Sequence, residues 1–570
     1  MNILLELTLP RTLDTWLAEL LAHRPHGTVE GWLFEGTEAR RAAERKLAAA
    51  DVKARFFSAY KPLVFHFLEQ VELHGLKRVT VRYPLHPKAS PRRFALEAYP
   101  LADMLAGVEF SLLPQPLPTV KAIYEVELEW LDGRHRSDHV FAPNHLHLDP
   151  IGETLLSPTA WLQDLPRDSD YQEVFRRIVD CVQQHDWPPA EPYFERLDLQ
   201  VELPGVQHHP QDEAGWIDSH EALHEDLYFS LLEVFQRRSG RPTGDRRLQP
   251  GQIVPDVRGS DGTVHLRVST RPYAAAVAVV PSTDAEPLAD ALAPLSAERI
   301  AQAFERIEGR RFHATSRQGR AVQGVYRKGS DPAVIISGGQ HANETSGVVG
   351  VLRATEILAA RPGSHFALIP LENPDGHALH HELCEHAPRH MHHAARYTAL
   401  GDDLEFRETA PFHEQEARQQ ALAFSGATLH INLHGYPAHE WTRPMSGYIP
   451  RGFDLWTVPK GFFLIVRHHT GWGEKARRLM EQVCLALCEI PELMAFNERQ
   501  RASYRSHAGA LGFEIIHGTP CTLSEVNRPG APMTLITEYP DETIYGETFR
   551  LAHDMQTATV LAAVEALKTL

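Results

Sequence analysis

Four short segments, far apart in the chain, carry residue types that can hold a metal ion and move protons: His341-Ala342-Asn343-Glu344, Asn373-Pro374-Asp375-Gly376, Leu433-His434-Gly435 and Thr537-Glu538-Tyr539-Pro540-Asp541. Zinc takes nitrogen, sulfur or oxygen ligands in a tetrahedron, and a catalytic site leaves the fourth position to water, so two His and one Glu are a sufficient protein set. A further carboxylate outside the ligand set would then handle protons. Taken singly, each segment is ordinary, because a lone His at a strand end usually packs or faces solvent and this chain has 34 His. Their common order is the stronger signal.

The elements that must position them follow from periodicity. The apolar run Ala333-Val334-Ile335-Ile336 reads as a strand that stops at Gly338-Gly339. From Ser346 onward Val348, Val351, Leu352, Ile357 and Leu358 recur at helical spacing, so His341 and Glu344 fall at a strand-to-helix junction. In open α/β sheets the crevice outside the carboxyl ends of the strands collects ligands, because rigid strands aim the loops that leave them. Residues 427–433 predict a second strand, with Leu429, Ile431 and Leu433 alternating against His430, Asn432 and His434. Residues 533–537 predict a third, with Glu538 at its end. The four residues are therefore expected to converge on one sheet edge.

This ordered set resembles the zinc carboxypeptidase family, the carboxypeptidase A-like funnelins. That family has His-x-x-Glu after a strand, an Asn-Pro-Asp-Gly segment, a lone third His at a strand end and a catalytic Glu on a late strand. Glu538 followed by Tyr545-Gly546 is similar to the family's Glu-x-Arg-Asp and Tyr-Gly at the same spacing. The resemblance covers about residues 290–570. It implies that His341, Glu344 and His434 bind one Zn2+, and that Glu538 activates water and returns the proton to the leaving amine, with Glu525 and Glu514 as the other acidic candidates. A carbonyl-polarising Arg of the family would correspond to Arg389. Funnelins also carry Asn-Arg after Gly-x-Asp, the Arg gripping a substrate carboxylate as a bidentate fork. In the comparable stretch, residues 401–407, Arg407 falls one position late and Glu405 would repel a carboxylate. Between Gly509 and Met533 there is no Tyr where a mobile Tyr commonly lies, and Tyr504 is too early.

The implied activity is zinc-dependent hydrolysis of a peptide bond at or near a C-terminus. The alternative is an N-acyl amino-acid amidohydrolase, similar to desuccinylases and aspartoacylases, whose Gly-x-His-Gly-Asn-Glu segment resembles residues 339–344. Either way the expected partner is a peptide or an acylated amino acid. Between His434 and Glu538, Trp441, Arg443, Tyr448, Arg451, Trp456 and Arg467 suit an inserted loop that shapes a pocket, or equally a small satellite core.

A competing motif lies upstream, where His220-Glu221-Ala222-Leu223-His224 is a complete His-Glu-x-x-His on an expected helix. A Glu-liganded zincin needs a third ligand further on, yet no Glu occurs between Glu233 and Glu286, and the helix continues as a packing stripe of Leu227, Leu231, Val234 and Phe235. An exposed polar first turn is the simpler reading.

At 570 residues the chain is long for one core. The fold class expected is α/β: a mixed-sheet zinc carboxypeptidase-like catalytic domain over 291–570, preceded by an α+β accessory domain over 1–166 and a mixed segment with a linker over 167–290. The first block includes a hairpin in which Tyr124, Val126, Leu128 and Trp130 alternate before Asp132-Gly133. A formal net charge of -17 argues against broad nucleic-acid binding or attachment to an anionic membrane. The first twenty residues hold Glu6 and Asp14 and no basic segment before an apolar run, which does not read as a signal peptide. Five cysteines, odd in number, suit a reducing cytoplasm.

Overall fold

A computed structural model describes residues 1–116, 121–210, 215–283 and 286–570; the linker expected at 281–294 lies partly outside them. In the first half, β1 (Asn2–Leu9), β2 (Arg196–Leu203), β3 (Gln252–Gly259) and β4 (Val264–Arg271) form one sheet in the order β1-β4-β2-β3. Because β1 pairs antiparallel with β4, this sheet joins residues from both sides of position 166. Helix α1 (Ser219–Arg238) packs against β3 and is buried from Ser219 to Gln236. A helix covered on every side belongs to an interior. The predicted hairpin forms from Ile123–Trp130 and His135–Phe141, with its alternating apolar row in the core.

After residue 310 the chain builds a nine-stranded mixed sheet. Its parts in chain order are β5 (Arg310–Thr315), β6 (Ala321–Arg327), β7 (Val334–Gly338), α2 (Ser346–Ala359), β8 (Phe366–Ile369), α3 (Pro374–Cys384), α4 (Glu416–Ser425), β9 (Leu429–Pro437), β10 (Phe463–His468), β11 (Glu514–Ile516), β12 (Thr519–Glu525), β13 (Met533–Glu542) and α5 (Glu547–Leu567). The strand order is β5-β6-β8-β7-β9-β13-β10-β12-β11, with β8, β7, β9 and β13 parallel at the centre. Strands buried on both faces read as near-continuous apolar runs, as β7 and β8 do. α2 and α5 cover one face, packing on Leu429, Ile431 and Leu433. α4 covers the other with Ile335, Ala367 and Ile369.

The two halves share a core. One hydrophobic cluster runs from Phe34 through Val268 and takes in Leu379, Met391, Trp441 and Tyr448. Buried ion pairs cross the same seam: Lys61 with Glu440, and Arg443 Nη1 with Glu233 at 2.8 Å. Cys484 lies in the core 3.3 Å from Cys521. Among the described residues no helix is long and apolar enough to cross a membrane.

Candidate metal centre

The site begins at the turn after β7. Gly339 there has φ +63, which L side chains rarely adopt, and a Cβ would stand 2.6 Å from Leu371 Cδ1, so glycine suits the turn. The turn is tied down from Asn373-Pro374-Asp375-Gly376: the Glu372 and Asn373 N–H groups donate to the Gly338 and Gly339 carbonyls at 3.0 and 2.9 Å. Asn373 Oδ1 caps α3 by accepting from Gly376 N, and Asp375 accepts from Ser316 Oγ and Gln318 N. That segment therefore anchors the loop and stays out of the cavity lining. On the helix side, Asp541 accepts from Ser346 N at 2.8 Å, capping the start of α2.

The loop delivers His341 and Glu344 to His434 on β9. His341 Nδ1 lies 2.7 Å from Glu344 Oε1, His434 Nδ1 lies 2.9 Å from Glu344 Oε2, and the two Nδ1 atoms are 3.1 Å apart. Two ring nitrogens and a carboxylate aimed at one another satisfy each other poorly, but they are a metal donor set: bonds of 2.0–2.1 Å in a tetrahedron put ligand atoms about 3.3 Å apart. Among the described residues this is the one group of three or more His, Cys, Asp or Glu side chains that converges in this way. All three residues are buried. Burial raises the Glu344 pKa, yet His341, Arg396 and His434 together bring it well below its ordinary value, so it is ready as an anionic ligand. Burial lowers the His434 pKa against the pull of Glu344, which favours the neutral imidazole that a metal takes.

Glu538 stands beside this set. In the parallel ladder of β9 and β13, His434 is directly opposite Glu538, and both point away from the row Leu429, Ile431, Leu433. Burial and the Glu344 carboxylate push its pKa well above the ordinary value, against the pull of Arg396 and Lys460. Gly435 completes the strand end, since a Cβ there would fall 1.8 Å from Asp541 Oδ1. Glu525 and Glu514 lie elsewhere, exposed and bonded to Thr470 and Arg477.

Two sequence expectations fail. Arg389 does not line the cavity; its guanidinium lies over the rings of Trp216 and Tyr545 at 5.6 and 5.4 Å. Arg396 reaches the ligand set instead, with Nη1 2.5 Å from Glu344 Oε1. Arg389, Arg396 and Arg407 all fall in one short stretch, and only the middle one is carried inward. Arg407 is also misplaced as a substrate clamp. Its Nε donates to Asp402, Nη1 to Glu414 and the Phe412 carbonyl, and Nη2 to Asp402 and Thr398, which leaves no nitrogen without a partner.

The sequence also gave no sign of Asp403, whose Oδ1 accepts from Gln340 Nε2 at 3.0 Å and whose Oδ2 lies 3.6 Å from His341 Nε2. A carboxylate behind a ligating imidazole fixes ring orientation and raises basicity. The inserted loop lines a pocket, and its Trp441 and Tyr448 join the large shared core rather than a small satellite one. Trp441, Phe453 and Trp456 line a cavity of about 150 Å³ over the site, while Arg443 and Arg451 pair with Glu233 on α1.

Apart from His224 Nε2, the polar groups of the His-Glu-x-x-His segment are engaged by protein partners. His220 sits between Asp218 Oδ1 at 2.9 Å and the Leu203 carbonyl at 3.0 Å, and Glu221 accepts from Met391 N and bonds His439. Among the described residues it forms no metal-ligand cluster, and it is buried rather than the exposed turn expected.

No protein-family model matches the sequence, and no curated protein matches it. Solved structures similar to it over about half its length are described as metallopeptidases, carboxypeptidases, an amidase and an aspartoacylase family protein. A metallo-carboxypeptidase from Burkholderia cenocepacia is 13% identical, with a TM-score of 0.30, and the match covers 54% of this chain and 76% of that one. A murein-tripeptide amidase from Escherichia coli O157 is 13% identical at a TM-score of 0.23, covering 46% and 95%. An aspartoacylase family protein from Mesorhizobium loti is 12% identical at 0.24, covering 48% and 70%.

Proposed function

We propose that this chain is a zinc-dependent hydrolase that cleaves a peptide bond, or an amide closely like one, with Glu538 as general base and acid. One observation carries the reading: Glu538 faces His434 across the β9–β13 ladder, beside a converged His341, Glu344, His434 donor set. Zinc, when bound there, supplies Lewis acidity toward a carbonyl and lowers the pKa of water toward neutrality. Glu538 takes the proton of the attacking water and returns it to the leaving nitrogen; its raised pKa suits it to hold that proton between the two steps. Arg396, held beside Glu344, adds positive charge where the carbonyl oxygen turns anionic. Asp403 keeps the His341 ring in place, and Trp441, Phe453 and Trp456 restrict water in the cavity.

The test is the product pattern of zinc-loaded protein on a library of peptides and N-acyl amino acids, read by mass spectrometry. Amide cleavage that stops with a chelator and returns with zinc is expected. Products confined to acylated amino acids would make the chain an amidohydrolase, and no amide cleavage by zinc-loaded protein would sink the proposal.

A further inference from the structure

The cavity over the metal centre is not built by the catalytic half alone. Phe229 on α1 and Arg246, just past it in the accessory region, both line it. The Arg246 guanidinium lies 5.3 and 5.7 Å over the rings of Phe406 and Phe453 and is 3.5 Å from Asp403 Oδ2. From β10, Arg467 lines the same cavity, with Nη1 3.5 Å from Glu405 Oε1. Both side chains are about a third exposed, 35% and 31%. Among the described residues neither donates a side-chain hydrogen bond, in contrast to Arg407, every nitrogen of which has a partner, and to Arg396, whose Nη1 donates to Glu344. Each guanidinium carries five N–H donors and no acceptor, so two of them left open on one cavity make a receptor for an anion with paired oxygens.

Glu405 does not cancel that charge. Arg418 at 2.7 Å, Arg528 at 3.4 Å and Arg467 surround it; Arg418 also pairs with Glu372, so three cations face two anions. The cavity also continues past this point: a second one of about 550 Å³ shares Glu405, Phe406, Arg467 and Thr534 with the first and has Arg528 on its wall.

We propose that the accessory region supplies a substrate-recognition residue, Arg246, which together with Arg467 holds a carboxylate of the substrate. The accessory region is then part of the binding cleft, and the substrate is an acidic amide, its carboxylate either the chain terminus or an Asp or Glu side chain. This rests on the hydrolase reading of the site.

Calorimetric binding to zinc-loaded Glu538→Gln protein tests it without needing turnover. The probes are matched pairs: N-acetyl-Ala-Ala-Phe with a free against an amidated C-terminus, and N-acetyl-Ala-Glu-amide against N-acetyl-Ala-Gln-amide. In one pair or both the anionic member should bind roughly 10- to 100-fold tighter, as expected for charged hydrogen bonds, and the pair that discriminates identifies the source of the carboxylate. Arg246→Gln and Arg467→Gln should each remove about tenfold of that preference while leaving the neutral member's Kd unchanged, which also reports an intact fold; Arg246→Lys should retain part of it. Equal binding in both pairs, or a preference that survives both Gln variants, overturns the proposal. Hydrolysis of neutral amides without anion preference leaves the hydrolase reading standing alone, and arginine-dependent preference in a protein that cleaves nothing does the reverse.

Discussion

Two segments of this chain have the spacing of metal ligands, His220 to His224 on α1 and His341 to Glu344 after β7, and they fold into opposite surroundings. On α1 every group but one finds a protein partner: Asp218 and a carbonyl for His220, a backbone N–H and His439 for Glu221, His393 for Glu225. Only His224 Nε2 is left without one. After β7 the nitrogen and oxygen donors point at one another around a common centre, with a carboxylate behind one ring and the Glu538 carboxyl on the neighbouring strand. Motif spacing puts side chains within reach; it is the third partner, supplied from far away in sequence, that makes a site.

The sharpest break of this contrast is metal content. His341→Ala or His434→Ala should lose most bound zinc and essentially all activity, since each removes one of three protein ligands, whereas the double variant His220→Ala, His224→Ala should keep stoichiometric zinc; metal analysis of the purified proteins decides. Glu538→Gln comes next. It should retain zinc and thermal stability while turnover falls about 10²- to 10⁴-fold, and near-normal turnover would remove Glu538 from the chemistry.

Arg407 sharpens the contrast from the structural side. Arg407→Ala leaves Asp402 and Glu414 buried without their cation, so stability should drop by about 3–5 kcal/mol in urea unfolding, with no change in preference between free and amidated substrates. A selective rise in KM for free carboxylates with stability intact would restore it as the clamp.

The smallest effect is a pH dependence of the seam between the halves. Burial pushes His507, which packs on Tyr99 and Ala95 of the accessory region, down to about 3, and His392, near His224, likewise to about 3. A histidine unfolds to an ordinary pKa of about 6.5, so between these values the unfolded chain binds more protons. The stability contributed by the neutral rings is complete above about pH 6.5 and is lost as pH falls toward 3. Thermal unfolding midpoints should fall over that window, and His507→Asn should flatten part of the slope; an unchanged slope would place the acid sensitivity elsewhere.

Strand and helix positions around the site were legible because their signals are local. The alternation of Leu429, Ile431 and Leu433 places His434 on the opposite face, and Gly338-Gly339 ends β7 where the run of apolar residues does. The arginines were not legible. Which of Arg389, Arg396 and Arg407 turns inward depends on partners such as Trp216 and Glu344, distant in sequence, and the nearby Asp402, and no periodicity in that loop reports them. The same holds for Asp403, and for Arg246, whose place in the cavity follows from the packing of α1 against the inserted loop.

The pairing of His434 with Glu538 has a consequence for how this protein would fail. Their separation is a rung of a hydrogen-bonded ladder, so it is fixed by the same bonds that hold β9 to β13 at the centre of the sheet. Breathing of surface loops can open or close the cavity without altering that rung. On heating, the spacing between His434 and Glu538 should persist until the sheet itself separates, and the loss of geometry at this rung should coincide with global unfolding rather than precede it.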